Sequence, residues 1–425
     1  YHDGLTYKVQ AWTRDGEVRS MRFHRDNGAL DIDLEGMHAV ELSHLDVEWP
    51  SARLREMTLA DTPGLDSVSI DVSLCTFDAL TPTDESPGQA DAVVYLMRHL
   101  HGSDVRFLEA FHDDDLAHPS PVNAIGVLSR ADEIGAGRLD AMDSAARIAM
   151  RYRADAKLRR LCQTVVPVAG LLAQAASTLR EAEFRSFGRV AELSVEERDT
   201  LLLSVDHFVA DHPILAVTPI EREALLDRFG LYGVRQAVEL LVHGAVTTST
   251  ELASALAHLS GIGALRAALV TRFGERAAIL KARSALNAIE AELGENDAIA
   301  AQIERVRSGA HELVELRLLS DVHTGLVQLE AAEIDEVDRL MGGGSPSERV
   351  GLDNHAGPAD VEQAAFAALV RWQRRAENPM SSQGVKNAAR TIVRTYEGLL
   401  AHAGAELGRQ VYTSRPATSD ADQSS

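Results

Sequence analysis

The chain has 425 residues, too many for one ordinary domain, and its 45% apolar and 25% charged residues are the make-up of a globular protein. Its net charge, 42 − 64 = −22, excludes a general nucleic-acid binder and a wholly electrostatic membrane contact. Two cysteines, Cys75 and Cys162, rule out a disulfide framework and fit a reducing compartment, and no apolar run approaches the roughly 18 residues of a spanning helix.

Leu5, Tyr7, Val9 and Ala11 alternate with polar residues, the period of a half-buried strand. Met21 and Phe23 lead to Asp26-Asn27-Gly28, and Leu30, Ile32 and Leu34 follow. Asn-Gly between two alternating runs predicts a hairpin. Leu45, Val47 and Trp49 make a further run, and Leu54, Met57 and Leu59 lead into Asp61-Thr62-Pro63-Gly64. Continuous apolar runs at 91–98, 122–130 and 163–170 read as buried strands, with helices predicted over 103–112 and 137–160. Buried strands alternating with helices imply a parallel sheet covered on its faces.

Beyond Gly170 strand signals nearly vanish. Thr218, Pro219 and Glu221 read as N-cap, first-turn proline and capping box of a helix over 218–229. The stripe Ile262, Leu265, Leu269, Phe273, Leu280, Leu286, Ile289 and Leu293 predicts one very long helix. Ile299, Ile303, Val306, Leu313, Leu326, Leu329 and Val337 predict another. A glycine-rich flexible break is expected at 341–358, then helices over 359–376 and 383–407. The expected organisation is an α/β parallel-sheet domain over 1–170, a helical neck and stalk over 171–345, C-terminal helices of the same elongated bundle over 346–412, and a disordered tail at 413–425.

In an open parallel sheet, ligands bind at the carboxyl ends of the strands, and two suggestive sequences sit there. The first is Asp61-Thr62-Pro63-Gly64. A carboxylate there can hold Mg²⁺ through water, and the glycine N–H can approach a γ-phosphate without a Cβ clash. The second, Ser129-Arg130-Ala131-Asp132, lies 132 − 61 = 71 residues on. Asp132 can accept hydrogen bonds from guanine N1–H and N2–H₂, while the Arg130 stem lies along the base. The plainer reading of the first sequence is a strand-ending turn.

Asp61 to Gly64 and Ser129 to Asp132, in that order before a helical remainder, resemble the third and fourth motifs of a GTPase domain. With HGSDVRFLEAFHDD (101–114), SGIGALRAALVTRF (260–273) and ERAAILKARSAL (275–286), the chain resembles a bacterial dynamin-like protein of the actinobacterial group that includes the isoniazid-inducible proteins of mycobacteria. Ser129 and Arg130 depart from the usual Asn- or Thr-Lys-x-Asp, and Ala169 falls where a backbone contact of the fifth motif would sit. These 425 residues contain no Gly-Lys dipeptide, hence no P-loop, and the expectation is an incomplete GTPase domain truncated upstream of Tyr1.

The resemblance implies GTP and GDP as ligands with Mg²⁺, and GTP hydrolysis by the full-length protein. It further implies coupling to membrane binding, remodelling or fission, and self-association or a paralogous dynamin-like partner. Membrane lipids are the expected partner and nucleic acid is not. The expected location is cytoplasmic, peripheral at the inner face of the plasma membrane. No catalytic residue is named, because the water-activating residues of such enzymes lie in the P-loop and switch I. The alternative is a nucleotide-independent helical scaffold for membranes or partners, descended from a GTPase.

A membrane tip is expected within 213–263, where proline and glycine punctuate short helices. Leu231, Tyr232, Val234 and Val246 would supply the apolar surface for shallow insertion, or else cap a bundle core. Arg371, Arg374 and Arg375 around Trp372 read as a solvated face or, less often, as a dimer or lipid contact.

Overall fold

The computed structural model describes residues 1–26, 29–38, 41–52, 54–55, 57–62, 90–98, 121–292 and 297–413. The chain divides into two units. The first comprises Tyr1–Pro119, Ala124–Leu158 and Thr164–Leu269, the second Ser120–Asn123, Arg159–Gln163 and Val270–Ser425.

In the first unit, strand β1 (Lys8–Thr13) lies between β2 (Val18–Ser20) and β5 (Leu42–Glu48), antiparallel to both. Its predicted alternation holds for Val9 and Ala11, which are buried with Met21 and Val47 while Lys8 and Trp12 are exposed; Leu5 and Tyr7, expected on the same buried face, precede the strand and are exposed. β3 (Arg22–Asp26) pairs antiparallel with β4 (Ala29–Asp33), Asp26 opposite Ala29. The Asn27-Gly28 pair proposed to turn this hairpin lies outside the described residues.

Among the described residues a separate parallel sheet has the order β6 (Val93–Met97), β7 (Ala124–Ser129), β8 (Val165–Val168). β7 is central, and Ile125, Val127 and Leu128 are fully buried, as a continuous apolar run in a covered parallel sheet requires. The helix predicted over 137–160 forms as α1 (Ala141–Ala154) and a short α2 (Ala156–Arg159). Extended Asp155 breaks it, its carboxylate accepting the N–H groups of Lys157 and Leu158. The helix predicted over 103–112 lies outside the described residues.

After β8 come α3 (Gly170–Ser177), α4 (Glu181–Ala191), α5 (Val195–Leu201), α6 (Val205–Val209), α7 (Pro219–Val242), α8 (Ser249–Leu259) and α9 (Ile262–Leu269). The capping box predicted at Thr218 is present, with Thr218 Oγ1 accepting from Glu221 N–H at 3.3 Å and the Glu221 carboxylate accepting from Thr218 N–H at 2.7 Å. Ala141 of α1, Ala169, Leu172, Phe187, Phe229 and Val238 share one core, where the rings of Phe187 and Phe229 meet edge to face. The boundary expected at residue 170 therefore falls inside the first unit. Helical periodicity reveals an apolar face but not which partner covers it.

The second unit contains α10 (Ala277–Glu292), α11 (Asp297–Gly309), α12 (His311–Thr324), α13 (Ala331–Leu340), α14 (Pro346–Val350), α15 (Pro358–Glu377) and α16 (Gln383–Thr413). α15 and α16 match the last two predicted helices and pack along each other over a core containing Leu319, Val337, Trp372, Ile392 and Tyr396. The two very long helices expected over 262–293 and 299–337 do not form. A π-turn at Val270–Gly274 separates α9 from α10, and α12 stops at left-handed Gly325. The flexible break expected at 341–358 contains α14, whose capping box joins Ser345 to Glu348 and which ends at left-handed Gly351. The tail expected from 413 lies, beyond Thr413, outside the described residues.

Candidate functional site

β7 ends at Ser129, whose hydroxyl donates to the Met97 carbonyl at 3.1 Å and ties the ends of β7 and β6 together. Arg130 is left-handed, with φ 51° and ψ 40°, so the chain turns sharply into the short 3₁₀ segment Ala131–Glu133. Arg130 Nη1 meets Glu133 Oε1 at 3.1 Å, an exposed pair that contributes little stability. Asp132, by contrast, is only 8% exposed.

Burial pushes the Asp132 carboxyl above the usual carboxylate range, and Glu133 adds to this; its own backbone N–H and Arg130 oppose it. No other described residue donates a hydrogen bond to this carboxylate. A desolvated acceptor pair of this kind suits a planar ligand edge carrying two N–H donors.

The surroundings of Asp132 come from α7 and from the turn behind the 3₁₀ segment. Gly135, Ala136 and Gly137 all have positive φ, of 66°, 60° and 67°. α7 is bent at Gly230 (φ 63°, ψ 170°), and a Cβ added there would lie 3.5 Å from Asp132 Oδ2. Nearby Tyr232 is buried, which pushes its hydroxyl up to about 12; a hydrogen bond with Gln236 opposes this, and Asp143 and Asp132 add their charges. From the sequence Gly230 reads as punctuation of the expected membrane tip; the structure instead gives it a close approach to Asp132, which a glycine inside a helical pattern can signal.

Asp61 is exposed and Thr62 half-buried, while Pro63 and Gly64 lie outside the described residues. The preceding run, expected as a strand, exchanges two backbone hydrogen bonds with Tyr1 through Leu59, at 2.9 and 2.8 Å. The structure records no contact between Asp61 and Asp132. Among the described residues no three His, Cys, Asp or Glu side chains gather as metal ligands. A lone exposed carboxylate fits Mg²⁺ only through water, with phosphate oxygens completing the shell.

Ala169 is fully buried and its backbone N–H is already engaged. Its N–H donates to the Ser260 carbonyl at 2.9 Å and its own carbonyl accepts from Ala173 N–H at 3.0 Å, so the backbone contact expected of it is not available. Gly261, at φ +75°, makes that approach possible: a Cβ there would lie 2.3 Å from the Pro167 carbonyl oxygen.

The expected membrane tip is corrected by burial. Tyr232, Val234 and Val246 are 2%, 0% and 6% exposed and belong to the core of the first unit, and Leu231 is half-buried. Glycine punctuation marked bends that let α7 pack inward rather than a surface for lipid. Among the described residues no single helix is long and apolar enough to cross a membrane.

The chain matches no family model and no solved structure. It is 37% identical over 412 residues to the isoniazid-induced protein IniC of Mycobacterium tuberculosis, in strains CDC 1551 / Oshkosh and ATCC 25618 / H37Rv alike, covering 95% of this chain and 83% of each relative. At that identity and coverage, the chain belongs to the family of the mycobacterial isoniazid-induced protein IniC.

Proposed function

We propose that this protein is a dynamin-like GTPase whose first unit selects guanine at the end of β7 and whose hydrolysis acts at a membrane. The observation that carries the reading is Asp132, a buried carboxylate at the carboxyl end of the central strand of a parallel sheet, with no donor from another described residue. In this reading Asp132 accepts guanine N1–H and N2–H₂, and the Arg130 stem lines the base. Asp61 would help hold Mg²⁺ through water, and Gly64 would offer its N–H to the γ-phosphate. Mg²⁺, when bound, would neutralise charge on the β- and γ-phosphate oxygens. These 425 residues contain no Gly-Lys dipeptide and so no P-loop lysine for those phosphates.

Nucleotide titration of the full-length protein tests this. GTP should bind well ahead of ATP, and Asp132→Asn should move the preference toward xanthosine triphosphate, whose 2-oxo group would face the new amide. Equal affinity for GTP and ATP in the wild type would overturn the proposal. Co-sedimentation with anionic liposomes, with and without GTP, tests the membrane half separately.

A further inference from the structure

We infer that Arg235 is a positioning residue for guanine selection, fixing the buried Asp132 carboxylate by locking the turn behind it onto α7. The inference rests on the nucleotide reading above and extends it to a side chain from a different layer of the first unit.

The Arg235 guanidinium makes five hydrogen bonds, and every acceptor is a backbone carbonyl. Leu202 accepts at 2.9 and 2.7 Å, Leu203 at 2.8 Å, Ala136 at 3.0 Å and Gly137 at 2.7 Å. Among the described residues no carboxylate forms an ion pair with it. Two of those carbonyls belong to the run of left-handed residues that follows Asp132. Left-handed Ala136 is a conformation that persists only where the surroundings hold it. Gln236, next to Arg235, donates to the Leu139 carbonyl at 2.9 Å and anchors the far end of the same turn.

The turn in turn abuts Asp132. A Cβ on Gly137 would lie 3.2 Å from the Tyr232 amide nitrogen and 3.7 Å from the Asp132 carbonyl oxygen. The Gly230 bend meets the side chain instead, a Cβ there lying 3.5 Å from Asp132 Oδ2. The main chain of Asp132 therefore borders the turn held by Arg235, and its carboxylate borders a bend of the helix that carries Arg235. If the turn relaxes, the two acceptor oxygens tilt, and a base edge that needs both loses one. Lysine would keep the charge but lose the planar fork that spans carbonyls on both sides.

The test is titration of the full-length protein with fluorescent GTP and ITP, which differ only by the 2-amino group. The set is wild type, Arg235→Lys, Arg235→Met and a control, Arg228→Lys, whose guanidinium bonds Thr178 and Glu183 instead. Both Arg235 variants should lose roughly tenfold in GTP-over-ITP preference, the size of one charge-assisted hydrogen bond, with ITP affinity nearly unchanged. The control should keep the wild-type ratio. General loosening would weaken both nucleotides alike, so an equal fall in GTP and ITP overturns the inference, as does an unchanged ratio. Either result leaves guanine selection by the wild type standing, whereas a wild type that prefers neither guanine nor hypoxanthine over adenine overturns both proposals. If Arg235→Met fails to fold, Arg235→Lys decides.

Discussion

Tyr396 donates its hydroxyl to Glu336 Oε1 at 2.6 Å, and the Trp372 indole N–H donates to the same oxygen at 2.9 Å. Arg371 Nη2 bonds both Glu336 oxygens at 2.6 Å from the more exposed side. One carboxylate thus satisfies the polar ends of two buried aromatic residues from α15 and α16. Glu336→Leu orphans both donors and should destabilise the second unit by about 3 kcal/mol. Tyr396→Phe removes one bond and its donor together and should cost about 1 kcal/mol. Urea unfolding followed by Trp372 fluorescence, in a Trp12→Phe, Trp49→Phe background, measures both; equal midpoints for the two variants would refute the shared role of Glu336.

The same network sets a pH response. Burial, then the hydrogen bond and charge of Glu336, push the Tyr396 hydroxyl above the ordinary tyrosine range, while Arg371 and Arg339 oppose. The folded chain holds this proton longer than the unfolded one. The stabilisation is therefore complete below about pH 10 and is lost as pH rises from there. Urea midpoints should fall across pH 10 to 11 in the wild type and fall less in Tyr396→Phe. Parallel curves would show that this hydroxyl is not the titrating group.

Asp132 has the opposite character, a group that function requires at a cost in stability. Its raised carboxyl favours folding only while protonated, so that contribution is lost as pH climbs above the usual carboxylate range. At neutral pH the buried charge is a penalty, and Asp132→Asn should raise the stability of the nucleotide-free protein by about 1 kcal/mol. The gain should disappear near pH 3, where both states carry a proton. Thermal melts at the two pH values check the sign; a loss of stability at neutral pH would mean that the carboxylate has a donor after all.

Gly230 combines φ 63° with ψ 170°, a region that is close to glycine-only. Its would-be Cβ meets Asp132 Oδ2 at an ordinary 3.5 Å, so backbone strain rather than collision decides the effect. Gly230→Ala should destabilise the first unit by about 1–3 kcal/mol. Limited proteolysis at graded temperature measures it, and wild-type resistance would argue against the bend.

Elements with a strong local signature were legible in the sequence. The apolar run around Ile125 to Leu128 and the capping box at Thr218 formed as expected, because each is decided within a few residues. The polar end of β7 was legible too, since Asp132 follows its strand directly. What escaped depends on contacts distant in sequence. Tyr232, Val234 and Val246 have the composition of a lipid-facing tip, and only the folded core around Phe187 and Phe229 assigns them inward. Ala169 offered a plausible amide until Ser260, 91 positions later (260 − 169 = 91), occupied it. The glycine-rich stretch after Met341 carried a capping signal at Ser345 and Glu348 that the glycine count obscured.

The bond from Ala169 N–H to the Ser260 carbonyl gives the first unit a natural reporter. That amide can exchange its proton with solvent only when the turn between α8 and α9 lifts away from the end of β8. Its exchange rate is thus a direct count of how often the last helices of the unit come off the sheet, read at one position without any label. Gly261 keeps the count low, since any side chain there would wedge the Pro167 carbonyl and leave the turn ajar. If nucleotide binding at Asp132 tightens α7 and its neighbours, the signal of Ala169, just past the end of the adjacent strand, will slow before any change in secondary structure is visible.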